Sequence, residues 1–167
     1  MSRLDERAFA SFYERTGRAV WLYVYRSTGH AADADDIVQE AFCRLVLTDI
    51  AAIDEESLRR YVFKVASNLM TDRWRRVKRE TSWLERVRGG AEPHVDPDYD
   101  DTVAREFAAL APRERALLWL AYVEGENHRE IADTLGLAHG SVKVLLFRAR
   151  AKLKKLLTAA GVAARAL

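Results

Sequence analysis

The sequence predicts an all-α protein of two small helical domains joined by a flexible linker, and three observations carry that prediction. Apolar residues recur at helical spacing almost everywhere, while strict alternation over a strand's length is absent. The periodicity has one long interruption, where Gly89-Gly90, Pro93 and Pro97 lead into an acidic run ending at Asp101. Charge sums to only +2 over 167 residues, yet it runs in blocks of alternating sign. The expected organisation is a first domain over 1–80, a linker over 81–101, a second domain over 102–158 and a tail over 159–167.

The first amphipathic pattern, Leu4 to Ser27, carries Phe9, Phe12, Val20, Leu22, Tyr23 and Tyr25, and it breaks at Gly29. A second helix runs from about Ala32 to Leu47. Its residues Ile37, Ala41 and Leu45 step by four, with Val38 and Phe42 in the adjoining row, so one stripe is buried while Asp36, Gln39 and Glu40 remain outside. Leu47 to Ser57 reads as a loop. The third helix follows, with Leu58, Val62, Val65 and Leu69 on one side and basic residues on the other.

In the second domain, Asn127 accepts from first-turn amides, with Glu130 three residues on, as in a capping box. The short helix this opens ends at Leu135-Gly136, where glycine supplies a turn at positive φ. Ile131 and Ala132 face inward, and Ala132 is small enough for a second helix to cross closely. Val142 anchors that second helix. Its expected buried row continues through Leu146, Ala149, Leu153 and Leu156, which leaves Lys143, Val144, Phe147 and Arg148 outside near the end that enters a major groove in helix-turn-helix proteins. A plain helical hairpin is the simpler reading of the same spacing.

The charge blocks refine this picture. From His30 to Ser57 eight acids (Asp33, Asp35, Asp36, Glu40, Asp49, Asp54, Glu55, Glu56) face one base, Arg44. From Arg59 to Arg79 eight bases (Arg59, Arg60, Lys64, Arg73, Arg75, Arg76, Lys78, Arg79) face Asp72 alone. Lys143 to Lys155 holds six bases and no acid. Clustered Lys and Arg on helices form the footprint of a polyanion binder, because each neutralised phosphate releases counterions. Any one such run suits a solvated helix face; two runs, each beside a motif, point to two contacts with nucleic acid.

A 49% hydrophobic content suffices for real cores. No apolar stretch is long enough to span a bilayer, and the start Met1-Ser-Arg-Leu-Asp-Glu-Arg lacks a signal peptide's hydrophobic region, so no membrane insertion and a cytoplasmic location are expected. The single cysteine, Cys43, sits in an apolar pattern and is expected to be a buried thiol. His30, His94, His128 and His139 lack ligand spacing, so neither a metal nor a cofactor is expected.

These residues resemble the extracytoplasmic-function (group IV) sigma factors of bacterial RNA polymerase, within the sigma-70 family. His30-Ala-Ala-Asp-Ala-Asp-Asp-Ile-Val-Gln-Glu-Ala-Phe looks like the family's region 2.2. Tyr61-Val-Phe-Lys-Val-Ala-Ser-Asn-Leu-Met-Thr-Asp-Arg-Trp-Arg-Arg looks like regions 2.3 and 2.4, and Leu110-Ala-Pro-Arg-Glu-Arg through Arg148-Ala-Arg resembles region 4. Their order and spacing in one short chain is more specific than any one motif.

The resemblance implies a protein that is not an enzyme but directs core polymerase to promoters and helps open the strands, under the control of an anti-sigma factor. Asp35, Asp36, Gln39 and Glu40 would dock on the β′ clamp helices, and region 4 would meet the β flap. Asn68, Asp72, Arg73, Arg75 and Arg76 would lie against the separating strands of the minus-ten element. Tyr61, standing where the family usually has tryptophan, Phe63 and Trp74 are the aromatics available to stack bases, with core packing the alternative for Phe63 and Trp74. The loop 48–57 would receive a flipped base, and here it is unusually acidic. Region 4 would bring Ser141, Lys143, Val144, Phe147 and Arg148 to the minus-thirty-five element. The acidic linker Glu92 to Asp101 occupies the position of the segment that family members thread through polymerase channels; a solvated tether is the alternative.

The chain departs from the family pattern where Ser-Arg is replaced by Val144-Leu145. Apolar side chains still touch thymine methyls, but bidentate recognition of guanine is lost, so an altered minus-thirty-five readout is expected. Exposed Val144 and Leu145 would alternatively contact a protein such as an anti-sigma factor. Ala138 replaces the usual capping serine, which weakens the helix start by about 1 kcal/mol. Three other readings stay open at this point: a LuxR-type regulator, suggested by Pro112-Arg-Glu-Arg, Ile131-Ala132 and Ser141-Val142-Lys143; a sigma-factor mimic that binds an anti-sigma factor; and an enzyme with Asp33, Asp36 and Glu40 as metal ligands.

Overall fold

The computed structural model describes residues 5–48, 53–88 and 102–162. Among them it is helical, in the order α1 (Glu6–Thr28), α2 (Ala31–Leu47), α3 (Glu55–Arg88), α4 (Thr102–Ala108), α5 (Pro112–Tyr122), α6 (His128–Leu135), a 3₁₀ turn (His139–Ser141) and α7 (Val142–Ala159). The all-α prediction holds.

Local chemistry sets several helix ends. Asp5 caps α1 by accepting from the Ala8 amide at 2.7 Å, and Gly29 ends it at φ 76°, a left-handed conformation open to glycine at little cost. Asp54 accepts from the Ser57 amide at 2.9 Å at the start of α3. At α6 the expected capping box is complete: Asn127 accepts from the Arg129 and Glu130 amides at 3.0 Å, and Glu130 accepts from the Asn127 amide at 2.8 Å. Gly136 closes that helix at φ 63°. α3 has no breaker between Arg79 and Gly89, and it continues to Arg88, past the boundary expected near residue 80.

The first domain packs α1, α2 and α3 around Phe12, Val20, Val24, Ile37, Phe42, Leu45, Val62 and Met70. In the second, Leu110, Leu117, Leu120, Ile131, Val142, Leu146 and Leu153 fill the space between α5, α6 and α7. At roughly 1.5–3 kcal/mol for each large side chain removed from water, these clusters carry both domains.

The two domains also pack on each other, so the core is continuous. α4 lies against both α1 and α7, and α5 lies against α3. Residues 116–120 of α5 are all buried, because first-domain helices cover one side and α6 and α7 the other.

Several expectations are corrected. Cys43 is exposed: it follows Phe42 by 100° around α2, outside the stripe formed by Ile37, Ala41 and Leu45. The buried row of α7 ends on Leu157, with Leu156 only half-buried, since four rather than three residues separate it from Leu153. Leu145 is half-buried against the core and is not an exposed partner of Val144. Leu22 faces solvent. The acidic linker, Glu92 to Asp101, lies outside the described residues.

Candidate polymerase and nucleic-acid interfaces

On α2 the residues Asp35, Asp36, Gln39 and Glu40 are all exposed on one face. Asp35 accepts from Trp21 Nε1 at 2.7 Å, and Glu40 pairs with Arg44 one turn on at 2.7 Å. Beside these polar groups runs an apolar groove of about 730 Å³ lined by Phe9, Tyr13, Trp21, Val38, Phe42 and Val46, with Cys43 on its wall. Sequence reasoning found the acids and missed the groove. The signal was present in Gln39, Phe42, Cys43 and Val46, which share one side of a helix.

Asp33 is set apart from those acids. It pairs with Arg73 on α3, which ties α2 to α3 and turns Arg73 away from the outer face. A metal reading of Asp33, Asp36 and Glu40 therefore loses its third carboxylate.

The outer face of α3 gathers Asn68, Asp72, Arg75 and Arg76, all exposed. A broad groove of about 1060 Å³ follows this face, lined by Asp72, Trp74, Arg75, Arg76, Lys78 and Arg79. Trp74 is 38% exposed with Lys78 Nζ 4.8 Å above its ring, a cation–π contact that keeps the indole at the surface. Phe63 is fully buried, and half-buried Tyr61 is held by a hydroxyl–hydroxyl hydrogen bond to Thr48 at 2.8 Å. Two acids at the start of α3 have partners. Asp54 is held below the usual carboxylate range by Ser57, through its amide and then its hydroxyl, and Glu55 is held low by its hydrogen bonds from Arg15.

On α7 the outward set is as expected: Lys143 and Arg148 are exposed, Val144 is 50% exposed and Phe147 64%. Two further exposed bases of the same helix have partners on α5, Lys152 with Glu114 at 2.9 Å and Arg150 with the Tyr122 hydroxyl at 3.0 Å. The start of α7 lacks a side-chain cap. Ser141 donates to the Ala138 carbonyl at 2.7 Å instead, which shapes the 3₁₀ turn.

Residues 12–80 match the sigma-70 region 2 family and residues 101–153 match sigma-70 region 4. The RNA polymerase sigma-E factor of Streptomyces antibioticus is 31% identical over 140 residues, which covers 81% of this chain and 76% of that protein. The chain belongs to the extracytoplasmic-function sigma factors of the sigma-70 family. The ECF RNA polymerase sigma factor SigL of Mycobacterium tuberculosis is similar over 163 residues at 29% identity, covering 91% of this chain and 90% of SigL. Among solved structures, CnrH in complex with the cytosolic domain of CnrY superposes with a TM-score of 0.65 at 29% identity, covering 93% of this chain and 90% of CnrH.

As a sigma factor the protein is not an enzyme; it gives RNA polymerase its promoter specificity at initiation. The region 2 match sets aside the LuxR-type reading, which accounts for the second domain only. Among the described residues no helix of the sigma factor is long and apolar enough to cross a membrane.

Proposed function

We propose that Asp35, Asp36, Gln39 and Glu40 form the polymerase-docking edge, with the neighbouring apolar groove receiving the side chains of a β′ helix. Exposed carboxylates beside an apolar trough suit a basic amphipathic helix, in which the charges steer and the groove supplies burial. The α3 face, with Asn68, Asp72, Arg75 and Arg76, takes the minus-ten element, and Trp74 is the surface aromatic on which an unstacked base rests. Arg73 supports this face from within by its tie to Asp33. The α7 face, with Lys143, Val144, Phe147 and Arg148 following Ser141, takes the minus-thirty-five element while region 4 meets the β flap. The protein acts in the cytoplasm under the control of an anti-sigma factor. A protein partner of CnrH, and a second apolar groove of about 560 Å³ lined by Phe107, Trp119, Tyr122 and Val123, support that last element.

The observation that carries the reading is the α3 face, where a half-exposed indole and a row of guanidinium groups share one open groove. Its test is transcription in vitro by sigma-free core polymerase on a randomised promoter library, with this protein as the added factor. Start sites sharing two spaced elements are expected, and transcripts indifferent to sequence would sink it. Charge reversal at Asp36 and Glu40 (Asp36→Lys with Glu40→Lys) should abolish core binding in a fluorescence assay while the helical circular dichroism stays intact.

A further inference from the structure

The turn that leads into α7 carries a histidine with a fixed partner. His139 opens the 3₁₀ turn, two residues before Ser141 and one helical turn before Lys143. Its Nε2 stands 2.8 Å from an oxygen of Asp133 on α6. Both side chains are more than half exposed, so the pair holds a ring in place more than it holds the fold together.

Asp133 is kept below the usual carboxylate range first by its hydrogen bond from His139, against burial, and then by the charges of His139, Arg129 and Arg60. An ionised carboxylate only accepts, so the shared hydrogen lies on Nε2. Nδ1 is then a bare acceptor in the neutral ring and becomes a donor only when the ring is protonated. Phosphate oxygens accept, so Nδ1 can bind them in the charged ring alone.

Two neighbouring positions suit such a contact. Gly140 is exposed, its φ is not positive, and a Cβ there would meet nothing within 4 Å. Neither backbone conformation nor packing within this chain requires a glycine at 140, whereas close approach of another molecule's backbone does. Leu145 stands where the family pattern has an arginine, and an imidazolium at 139 restores a charged donor to that end of α7.

We propose that His139 is a further contact to the minus-thirty-five element, binding a backbone phosphate through Nδ1 when its ring is charged, and that Asp133 is its positioning residue. The inference rests on the assignment of the α7 face to that element. Promoter binding then tightens on acidification, because imidazole is the side chain that ordinarily changes charge near neutral pH. The other charged groups near the pair are Arg129 of α6 and Arg60 of α3, both acting on Asp133, and Lys143 one turn along α7.

The test uses the full chain assembled with core polymerase, and duplex promoter DNA with its upstream element intact or scrambled. Fluorescence anisotropy gives affinity at pH 6 and pH 8 for the native chain, His139→Gln, His139→Arg and Asp133→Asn, each checked for an unchanged thermal melt. Glu126, pushed up to about 7, and the polymerase are common to all four, so their titration cancels in the comparison. The native chain should gain about fivefold in affinity from pH 8 to pH 6 beyond any gain in His139→Gln, on both DNAs. At pH 6 His139→Gln should lower the salt-dependence slope by about 0.9. His139→Arg should bind tightly at both pH values, and Asp133→Asn should show a smaller gain. Equal pH profiles in the native chain and His139→Gln overturn the contact. A gain confined to the intact element overturns the phosphate and assigns a base edge instead, and a full gain in Asp133→Asn overturns the positioning role. Phe147→Ala in the same assay separates failure of the contact from failure of the α7 assignment: lost preference for the intact element leaves that assignment standing, and retained preference removes it.

Discussion

The outer faces of α3 and α7 both project from long helices, yet they are built from different chemistry. On α3 the exposed groups are mainly guanidinium and ammonium, with one indole among them, and the face lines a cleft between domains. On α7 the centre of the exposed face is apolar, Val144 and Phe147, with Lys143 and Arg148 beside it, and two further bases are engaged by groups of α5. Charge without shape holds a backbone and stabilises separated strands, whereas apolar groups on a rigid helix touch thymine methyls in an intact groove. The α3 face should therefore be sensitive to salt and tolerant of sequence, and the α7 face the reverse.

Removing two cations from α3 gives the largest expected effect. Arg75→Ala with Arg76→Ala should weaken promoter binding across sequences and lower the salt-dependence slope by about 2, as measured by anisotropy over a salt series. A loss confined to particular bases would erase the contrast. Phe147→Ala should reduce affinity by about 1–2 kcal/mol only where the upstream element carries the preferred thymines, with the salt slope unchanged.

The junction between the two faces has its own pH signature. Burial first, then the neighbouring Glu130 and Glu124 carboxylates, push Glu126 up to about 7, against the Thr134 hydroxyl and Arg60, which favour its charged form. Its folded pKa lies above the unfolded value, so the folded protein binds the extra proton and stability falls as pH rises from about 4.5 through 7. Glu126→Gln should stabilise the protein by about 1 kcal/mol at pH 8, allowing for its partial exposure, and by nothing near pH 4. Thermal melts at the two pH values check this. The smallest effect belongs to Ala138→Ser. Residue 138 has the extended backbone of a helix cap, so a serine there should add about 0.5–1 kcal/mol without altering α3.

Helices with one wet side were legible in the sequence, and the contacts between domains were not. Periodicity located α1, α2 and α7 because each has an apolar stripe, and the Asn127–Glu130 pair located the start of α6 from local chemistry alone. Cys43 and Leu156 were misplaced because a shift of one residue turns a side chain by 100°. Arg73 read as one more cation of a run, since its pairing with Asp33 joins residues forty positions apart. The docking of the domains left a trace that periodicity does not capture. Ala116-Leu-Leu-Trp-Leu is apolar on every side and buried, although Tyr122 and Val123 just beyond it are exposed, and such an all-apolar stretch needs cover from more than one direction.

That helix also bears on the lifetime of the free protein in solution. Trp119 and Tyr23 cover each other across the domain boundary, so parting the two domains would bring both rings into water and leave an adhesive surface on each half. The opened chain is therefore colloidally unstable unless something else covers those rings. A variant in which the two domains part should therefore aggregate and be cut by proteases sooner than the native chain.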